Sequence, residues 1–163
     1  NIYITVIRGT PVVVQLLIIY FVIFSSVRID KSFAAILTFG INSGAYQAEI
    51  FRSGINSVPK GQMEAGRSLG FSYPQTMINI IMPQVIKNVL PTLANEFIVL
   101  MKETSVASYI ALDDLTKAGD VIRSKTYSAM MPFLAVALLY LIMVMLFSYL
   151  VKLLERRLAR SGR

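Results

Sequence analysis

Long apolar runs separated by short polar segments dominate this chain. Residues 129–151 include no charged side chain, and at about 1.5 Å of helical rise per residue this run can cross a hydrocarbon core of about 30 Å. Three further runs, at residues 11–27, 33–51 and 84–101, are apolar with isolated polar positions. The pattern predicts an all-α, polytopic membrane protein with four spans, in which residues 1–163 form one transmembrane domain.

Composition narrows the possible chemistry. Hydrophobic residues make up 55% of the 163 residues and charged residues only 15%, with a mean hydropathy of +0.63, whereas soluble domains carry about 25% charged residues. The absence of Cys and His excludes thiol chemistry, disulfides and soft metal sites. No phosphate-binding loop is present either. We therefore predict no enzyme activity, no catalytic residue, no cofactor and no metal, and expect that any ATP is hydrolysed by another chain.

Basic residues at the ends of the runs predict the orientation, because cytoplasmic flanks are enriched in Lys and Arg. Two clusters lie on one side of a four-span arrangement: Arg52, Lys60 and Arg67 in one loop, and Lys152, Arg156, Arg157, Arg160 and Arg163 after the last run. We predict that this side, with Arg8 and both chain ends, is cytoplasmic. The net charge of +7 is then explained by anionic lipid headgroups more simply than by nucleic acid.

The polar segment at residues 52–83 is longer and more glycine-rich than a simple connection between spans needs to be. Residues 62–69 lack proline and can form about two helical turns, and Gly70 suits a left-handed helix end. Pro74 suits the start of a second helix. Ala65, Gly66 and Gly70 would give the first helix a low surface that another protein can approach closely. The alternative is an amphipathic hairpin at the membrane surface with no partner.

The same segment resembles a known motif. Within residues 64–83, the positions that match are Glu64, Ala65, Gly66, Gly70, Ile80 and Pro83. They resemble the Glu-Ala-Ala, Gly, Ile-x-Leu-Pro pattern by which permease subunits of bacterial ATP-binding-cassette (ABC) importers dock their ATPase. Gly66 replaces the second alanine and Met82 the leucine, and both changes keep the small or apolar character.

Other stretches make the resemblance more specific. Arg8-Gly9-Thr10-Pro11, residues 42–46 with Glu49, residues 102–105 and residues 154–157 are similar to the polar amino acid branch of these importers, of the glutamine and histidine permease type. The resemblance implies a type I ABC importer permease fold with a cytoplasmic coupling helix. Members of this branch commonly carry one more span before the Arg-Gly-Thr-Pro stretch. Since the chain starts at Asn1, we expect such a span to precede it.

The resemblance also implies partners and a place in the cell. It implies a complex of two permease subunits, as a homodimer or a heterodimer, with an ATPase dimer and an extracytoplasmic amino-acid-binding protein in the bacterial cytoplasmic membrane. Glu64, Ala65, Gly66, Gly70, Ile80 and Pro83 would form the ATPase-coupling surface. The amino acid carried stays open among glutamine, arginine and histidine, with glutamine or a basic amino acid favoured.

Glu96 is the leading candidate for substrate contact. An ionisable group inside a span costs about 2.5 to 3.5 kcal/mol on insertion scales, so it normally faces a cavity or a partner. Glu103 lies two helical turns further on the same face, and Asn95, Thr104 and Ser105 add short polar groups. These residues would line a path for an ammonium group. The alternative is that Lys87 or Lys102 pairs with one of the two acids for a structural reason.

Three further motifs favour structural roles. Thr10 before Pro11 predicts a helix N-cap. Gly40, Gly44 and Ala48 follow a four-residue spacing that allows close helix packing. Glu49, three residues after Tyr46, is predicted to bond to a neighbouring helix rather than to substrate.

Together these features predict alternating access driven by ATP binding to the partner subunits. Two rival classes stay open. A secondary transporter would commonly show a repeated broken-helix pattern, and the sequence contains no second copy of the 64–83 motif. A membrane assembly subunit without transport would leave Glu96 and the Gly70 loop without a role.

Overall fold

The computed structural model describes residues 2–160, with side chains to residue 157, and those residues form helices and no strand. Eight α-helices follow one another along the chain: α1 Ile2–Arg8, α2 Val12–Ile18, α3 Lys31–Ser57, α4 Lys60–Ser68, α5 Tyr73–Thr76, α6 Met82–Glu103, α7 Leu115–Thr126 and α8 Met130–Arg160. Short π-helical segments extend α2 over Ile19–Ile23 and join α5 to α6 over Met77–Ile81. The predicted all-α class is confirmed.

The longest helices correspond to three of the predicted spans. Of the described residues, Met130–Arg157 form one helix that is long and apolar enough to cross a membrane, and an 18-residue stretch of it has a mean hydropathy of 2.6. Helices α3 and α6 have 27 and 22 residues, which at 1.5 Å per residue exceeds 30 Å, but their polar residues lower their hydropathy. Large apolar side chains are exposed along α8, including Leu134, Leu138 and Met145. An apolar surface of this extent suits lipid or a partner chain.

The first predicted span is shorter than its apolar pattern suggested. Residues 11–27 were expected to be helical, but α2 and its π-helical extension end at Ile23. Helix α1 and this second segment meet at an angle of 104°, either as one broken span or as a re-entrant loop. The predicted N-cap at Thr10 is wrong: the cap position is Pro11, and the Thr10 hydroxyl donates to the carbonyl of Val6 at 2.9 Å.

A polar network around Gln15 holds this bend. The Gln15 amide nitrogen donates to the carbonyl of Ile7 at 2.8 Å, to the carbonyl of Thr10 at 3.1 Å and to the Thr10 hydroxyl at 2.8 Å. Its oxygen accepts from the buried Asn42 amide at 3.0 Å. Satisfying these groups internally matters because a buried amide without partners costs about 1 to 3 kcal/mol.

Residues 104–126 form a compact connection that the sequence pattern did not predict. A 3-10 segment, Thr104–Ile110, ends at Ala111 in the left-handed conformation. Asp114 caps α7 by accepting from the backbone N–H of Lys117 at 2.6 Å. On α7, a hydrogen bond from Arg123 lowers the pKa of Asp120. Gly119 lets α7 lie against α8, since a Cβ there would be 2.7 Å from Val136 Cγ2.

Two apolar clusters form the core. One joins Leu16 of α2, Phe39 of α3 and Ile110. The other lies where the 52–83 segment meets α6 and contains Val58, Ile81, Val85 and Val89.

The glycine that brings α3 close to α6 is Gly54. A Cβ on Gly54 would clash with the Val89 side chain, whereas nothing lies within 4 Å of a Cβ on Gly40. A Cβ on Gly44 would lie 3.3 Å from the Tyr3 hydroxyl of α1. Of the predicted small-residue strip at Gly40, Gly44 and Ala48, Gly44 thus packs against α1, while Gly40 and Ala48 are exposed in the described chain.

Candidate functional site

Helix α4, the predicted coupling helix, ends in a Schellman motif centred on Gly70. The N–H of Gly70 donates to the carbonyl of Arg67 at 3.0 Å and the N–H of Phe71 to that of Gly66 at 3.2 Å, which is the pattern that closes helices with a left-handed residue. Gly70 has φ +89°, a conformation that other residues adopt at a cost. The predicted left-handed stop is confirmed, and α4 spans Lys60–Ser68 where 62–69 was expected.

A capping box fixes the next turn. The Ser72 hydroxyl accepts from the Gln75 N–H while the Gln75 side chain accepts from the Ser72 N–H at 2.8 Å, an arrangement that satisfies two helix-start donors. Pro74 lies in the first turn of α5, as predicted. Local hydrogen bonds at both ends thus fix the conformation of the connection between α4 and α5.

Gly66 lies on a different side of α4 from the one expected. It is buried, and a Cβ there would clash with Thr76 Cγ2 and lie 2.9 Å from Ile80 Cδ1. Gly66 and Ile80 therefore face each other inside the chain and join α4 to the segment leading into α6. The expectation that Gly66 contributes to a surface for another protein is corrected, because Thr76 and Ile80 of the same chain cover it.

Helices α4 and α5 and the segment leading into α6, residues 60–83, form a hairpin. The outward face of this hairpin is apolar at its tip. Glu64, Ala65, Gly70 and Pro83 are exposed, and nothing lies within 4 Å of a Cβ built on Gly70. Large apolar side chains surround that glycine, with Leu69 77% exposed, Tyr73 55% and Phe71 40%. Exposed apolar residues clustered on a polar hairpin are typical of a protein contact surface.

Helix α6 connects this hairpin with a polar cleft. Its first turns carry Val85 and Val89, both buried against the hairpin and α3, and its later turns carry Glu96. Glu96 is half-buried and lines a cleft of about 670 Å³ between α3 and α6. Polar side chains of Ser53, Ser57, Asn88 and Thr92 line the same cleft. The prediction that Glu96 faces a cavity is confirmed.

Arg8 lines the same cleft as Glu96, a placement that the sequence analysis missed. Its guanidinium lies over the Tyr46 ring, 5.2 Å from the centroid, and 3.7 Å from a Glu49 carboxylate oxygen. Glu49 is in turn held by Arg52, whose Nε donates to it at 3.1 Å. The predicted hydrogen bond from Glu49 to a neighbouring helix is thus replaced by hydrogen bonds within α3 and a longer ion pair with Arg8 of α1. Arg8 had been assigned to a membrane flank, and only its place in the Arg-Gly-Thr-Pro stretch indicated another role.

The other predicted substrate residues do not converge on one cleft. Glu103 lines a second cleft, of about 470 Å³, together with Arg8, Thr10, Asn42 and Tyr46. Thr104 lines a third, mostly apolar cleft beside α3. Asn95 is exposed, Ser105 is half-buried in the 3-10 segment, and neither lies with Glu96. Arg8 and Tyr46 are common to the Glu96 and Glu103 clefts.

The alternative pairing of these acids with lysine is absent from the described structure. Its ion pairs are Arg8 and Arg52 with Glu49, and Lys117 and Arg123 with Asp120. Across residues 2–157, no group of acidic side chains is arranged to hold a metal ion. Glu96 and Glu103 thus have Arg8 as their shared basic neighbour.

Comparison with known proteins identifies the family. Residues 1–160 match the family described as "Binding-protein-dependent transport system inner membrane component". The chain belongs to this family. Its fold is that of type I ABC permeases, and the family places it among transport components of the bacterial inner membrane.

Several relatives are similar over almost the whole chain. The glutamine transport system permease protein GlnP of Escherichia coli K12 is 42% identical over 160 residues, which cover 96% of this chain and 73% of the relative. The putative glutamine permease of Rickettsia typhi is 39% identical, covering 97% and 73%. The arginine transport system permease protein ArtQ of Bacillus subtilis is 37% identical, covering 96% and 72%.

A solved structure shows the same fold. The crystal structure of an amino acid ABC transporter with histidines superposes with a TM-score of 0.89 and 47% identity, covering 95% of this permease and 73% of that chain.

Proposed function

We propose that this permease is the membrane subunit of an ATP-driven importer that carries a polar amino acid, either glutamine or a basic amino acid. The observation that carries the proposal is α6, a continuous 22-residue helix that joins an exposed docking hairpin to a cleft containing Glu96. The transport functions in the names of the glutamine and arginine relatives support the choice of substrate class.

The partners are a second permease subunit, identical or different, an ATPase dimer and an extracytoplasmic amino-acid-binding protein. The ATPase hydrolyses ATP and docks on the outward face of α4, where Glu64 lies at an electrostatic rim and Ala65 and Gly70 allow close approach. Leu69, Phe71 and Tyr73 supply apolar anchors of the kind that dominate protein interfaces. The hairpin and both chain ends then lie on the cytoplasmic side.

Transport follows an alternating-access mechanism. Closure of the ATPase dimer on ATP displaces α4, and the contact of Gly66 with Thr76 and Ile80 passes that displacement to α6. Helices α4, α5 and α6 move as one body, which changes the distance across the Glu96 cleft between α6 and Arg8 of α1 and opens the cleft toward the binding protein. Hydrolysis resets the arrangement.

Glu96 is the principal substrate-binding residue in this proposal. Its carboxylate binds the ammonium group common to all amino acids, since a half-buried acid within a membrane span gains most from a cationic partner. Glu103 forms a second position along the path, on the other side of Arg8. Asn95, Thr104 and Ser105 contact the substrate only in a state of the transport cycle in which the substrate path is wider.

ATP hydrolysis by the reconstituted complex tests the function. The permease, a candidate ATPase and a candidate binding protein are placed in nanodiscs, and hydrolysis is measured while glutamine, arginine and histidine are titrated. Stimulation by one of them is expected in the wild type and is expected to vanish in Gly70→Asp. Gly70→Asn is the matched control, because both Asn and Asp can adopt the left-handed conformation and they differ in charge. Normal stimulation in Gly70→Asp, or none by any amino acid in the wild type, contradicts the proposal.

A further inference from the structure

The structure places Arg8 at the edge of a cleft, where it has a function beyond adding positive charge to a membrane flank. Arg8 ends α1, immediately before the 104° bend, and its side chain is 40% exposed. Gly9 permits this bend, since a Cβ there would lie 2.7 Å from the Thr5 carbonyl oxygen. The bend directs the Arg8 side chain toward Tyr46, whose ring holds the guanidinium in place.

Most of the hydrogen-bonding capacity of Arg8 is unused. Guanidinium carries five N–H donors, and the distance from Arg8 to the Glu49 carboxylate, 3.7 Å, is too long for a hydrogen bond. Glu49 has its close partner in Arg52, which donates to both carboxylate oxygens. The described structure records no hydrogen bond from the Arg8 side chain itself. Arg8 is therefore an oriented cation with donors available to a ligand.

The cleft offers both charges that an amino acid needs. It also contains Glu49, but Arg52 binds that carboxylate more closely than Arg8 does. Arg8 and Glu96 line the same cleft of about 670 Å³, one at the end of α1 and the other on α6. A zwitterion carries a carboxylate and an ammonium group on one carbon, so it can bind both residues at once. Guanidinium binds a carboxylate with two parallel N–H···O bonds, which a lysine cannot reproduce.

We propose that Arg8 binds the α-carboxylate of the transported amino acid while Glu96 binds its ammonium group. This assignment rests on the proposed function and makes Arg8 a specificity-determining residue: it requires a free carboxylate on any ligand of the permease. Because Arg8 also lines the Glu103 cleft, it can hold the carboxylate while the ammonium group passes from one acid to the other.

Equilibrium binding to the permease–ATPase complex tests the assignment, in nanodiscs and without binding protein. The probes are L-glutamine and L-arginine and their α-amides, which keep the ammonium group and lose the carboxylate charge. The wild type is expected to prefer the acid over the amide by at least about tenfold, the effect of about one charge-assisted hydrogen-bonded pair. In Arg8→Gln the preference is expected to fall to about twofold or less, with an intermediate value in Arg8→Lys.

Arg123→Gln is the matched control. It removes a guanidinium that binds Asp120 on α7 and lines neither acid cleft, and it is expected to keep the wild-type preference for the acid. Chromatography of the assembled complexes shows whether each variant folds. An unchanged preference in Arg8→Gln, equal binding of acid and amide by the wild type, or uptake without any binding to the permease overturns the assignment. Absence of both binding and vesicle uptake in the wild type overturns the proposed function instead.

Discussion

The two halves of α6 are built in opposite ways. In the first half, Val85 and Val89 are buried, and Gly54 and Gly66 bring neighbouring segments into contact with no space for a methyl group. In the second half, Glu96 faces an open polar cleft, and its nearest basic neighbour, Arg8, still has donors to offer. A contact that transmits motion must have no free space, while a site that binds and releases a ligand must leave groups unpaired. The difference separates a coupling junction, formed by Gly54, Gly66, Thr76, Ile80 and Val89, from a ligand cleft.

The largest expected effect comes from filling the coupling junction at Gly54. Gly54→Ala places a methyl group against Val89, and overpacking of this kind costs about 1 to 3 kcal/mol. The thermal unfolding midpoint of the permease, followed by circular dichroism, is expected to fall. The double variant Gly54→Ala, Val89→Ala is expected to recover part of the loss. If the double variant is less stable than either single variant, the two residues are not in the proposed contact.

Gly66 and Gly61 give a matched pair within α4. Gly66→Ala is expected to destabilise the hairpin by about 1 to 2 kcal/mol because the methyl group meets Thr76 and Ile80. Gly61→Ala has open space and is expected to stabilise the helix by about 0.5 to 1 kcal/mol. Hydrogen exchange of the α4 amides measures both. Equal effects of the same sign would mean that Gly66 does not join α4 to α6.

A substitution in the ligand cleft is expected to change substrate binding rather than the stability of the permease. Glu96→Gln keeps the size and removes the charge, and we expect at least about a tenfold loss in amino acid affinity, about 1.4 kcal/mol, or a changed substrate preference. Assembly with the ATPase and the unfolding midpoint should be unchanged. Uptake by reconstituted vesicles provides the measurement, and an unaltered rate and preference would remove Glu96 from the substrate path.

The smallest expected effect is at the helix end. Gly70→Ala retains an open surface but places a Cβ on a residue with φ +89°, at a cost of about 1 kcal/mol. Gly70→Asn is expected to cost less, since Asn adopts this conformation more readily. Unfolding midpoints that rank Ala above Asn in stability would contradict the role of Gly70 as a left-handed helix stop.

The sequence was most informative where local chemistry determines structure. The Gly70 stop and the Pro74 start depend on residues close in the chain, and the structure bears them out. The spans predicted at residues 33–51, 84–101 and 129–151 correspond to α3, α6 and α8, which are longer than predicted. The 104° angle of the bend before Val12 was not predicted, because it depends on Gln15 reaching Ile7, Thr10 and Asn42. An apolar run shows that a segment is buried in lipid or protein, and it does not show where the segment turns.

The wrong predictions for Gly66 and Arg8 also concern contacts that a local sequence pattern does not show. Gly66 was assigned to the outer surface because a short helix pattern does not reveal which side its own chain covers. Arg8 was counted as a flanking charge, since its contacts with Tyr46 and Glu49 join distant parts of the chain. Glu96 was predicted correctly as cavity-lining because the cost of an acid in a span holds wherever the helix packs.

The most direct test of the central claim measures whether α4 and α6 move together. The chain has no native cysteine, so pairs of spin labels can be introduced at Gly61 and Asn95, and at Val6 and Asn95, all exposed positions. Each doubly labelled permease is diluted with unlabelled permease in the complete complex, and distances are recorded without nucleotide and with ATP bound. We expect the 61–95 distance to stay constant and the 6–95 distance, which crosses the ligand cleft, to change. A 61–95 distance that changes while the 6–95 distance stays constant would contradict transmission through α6.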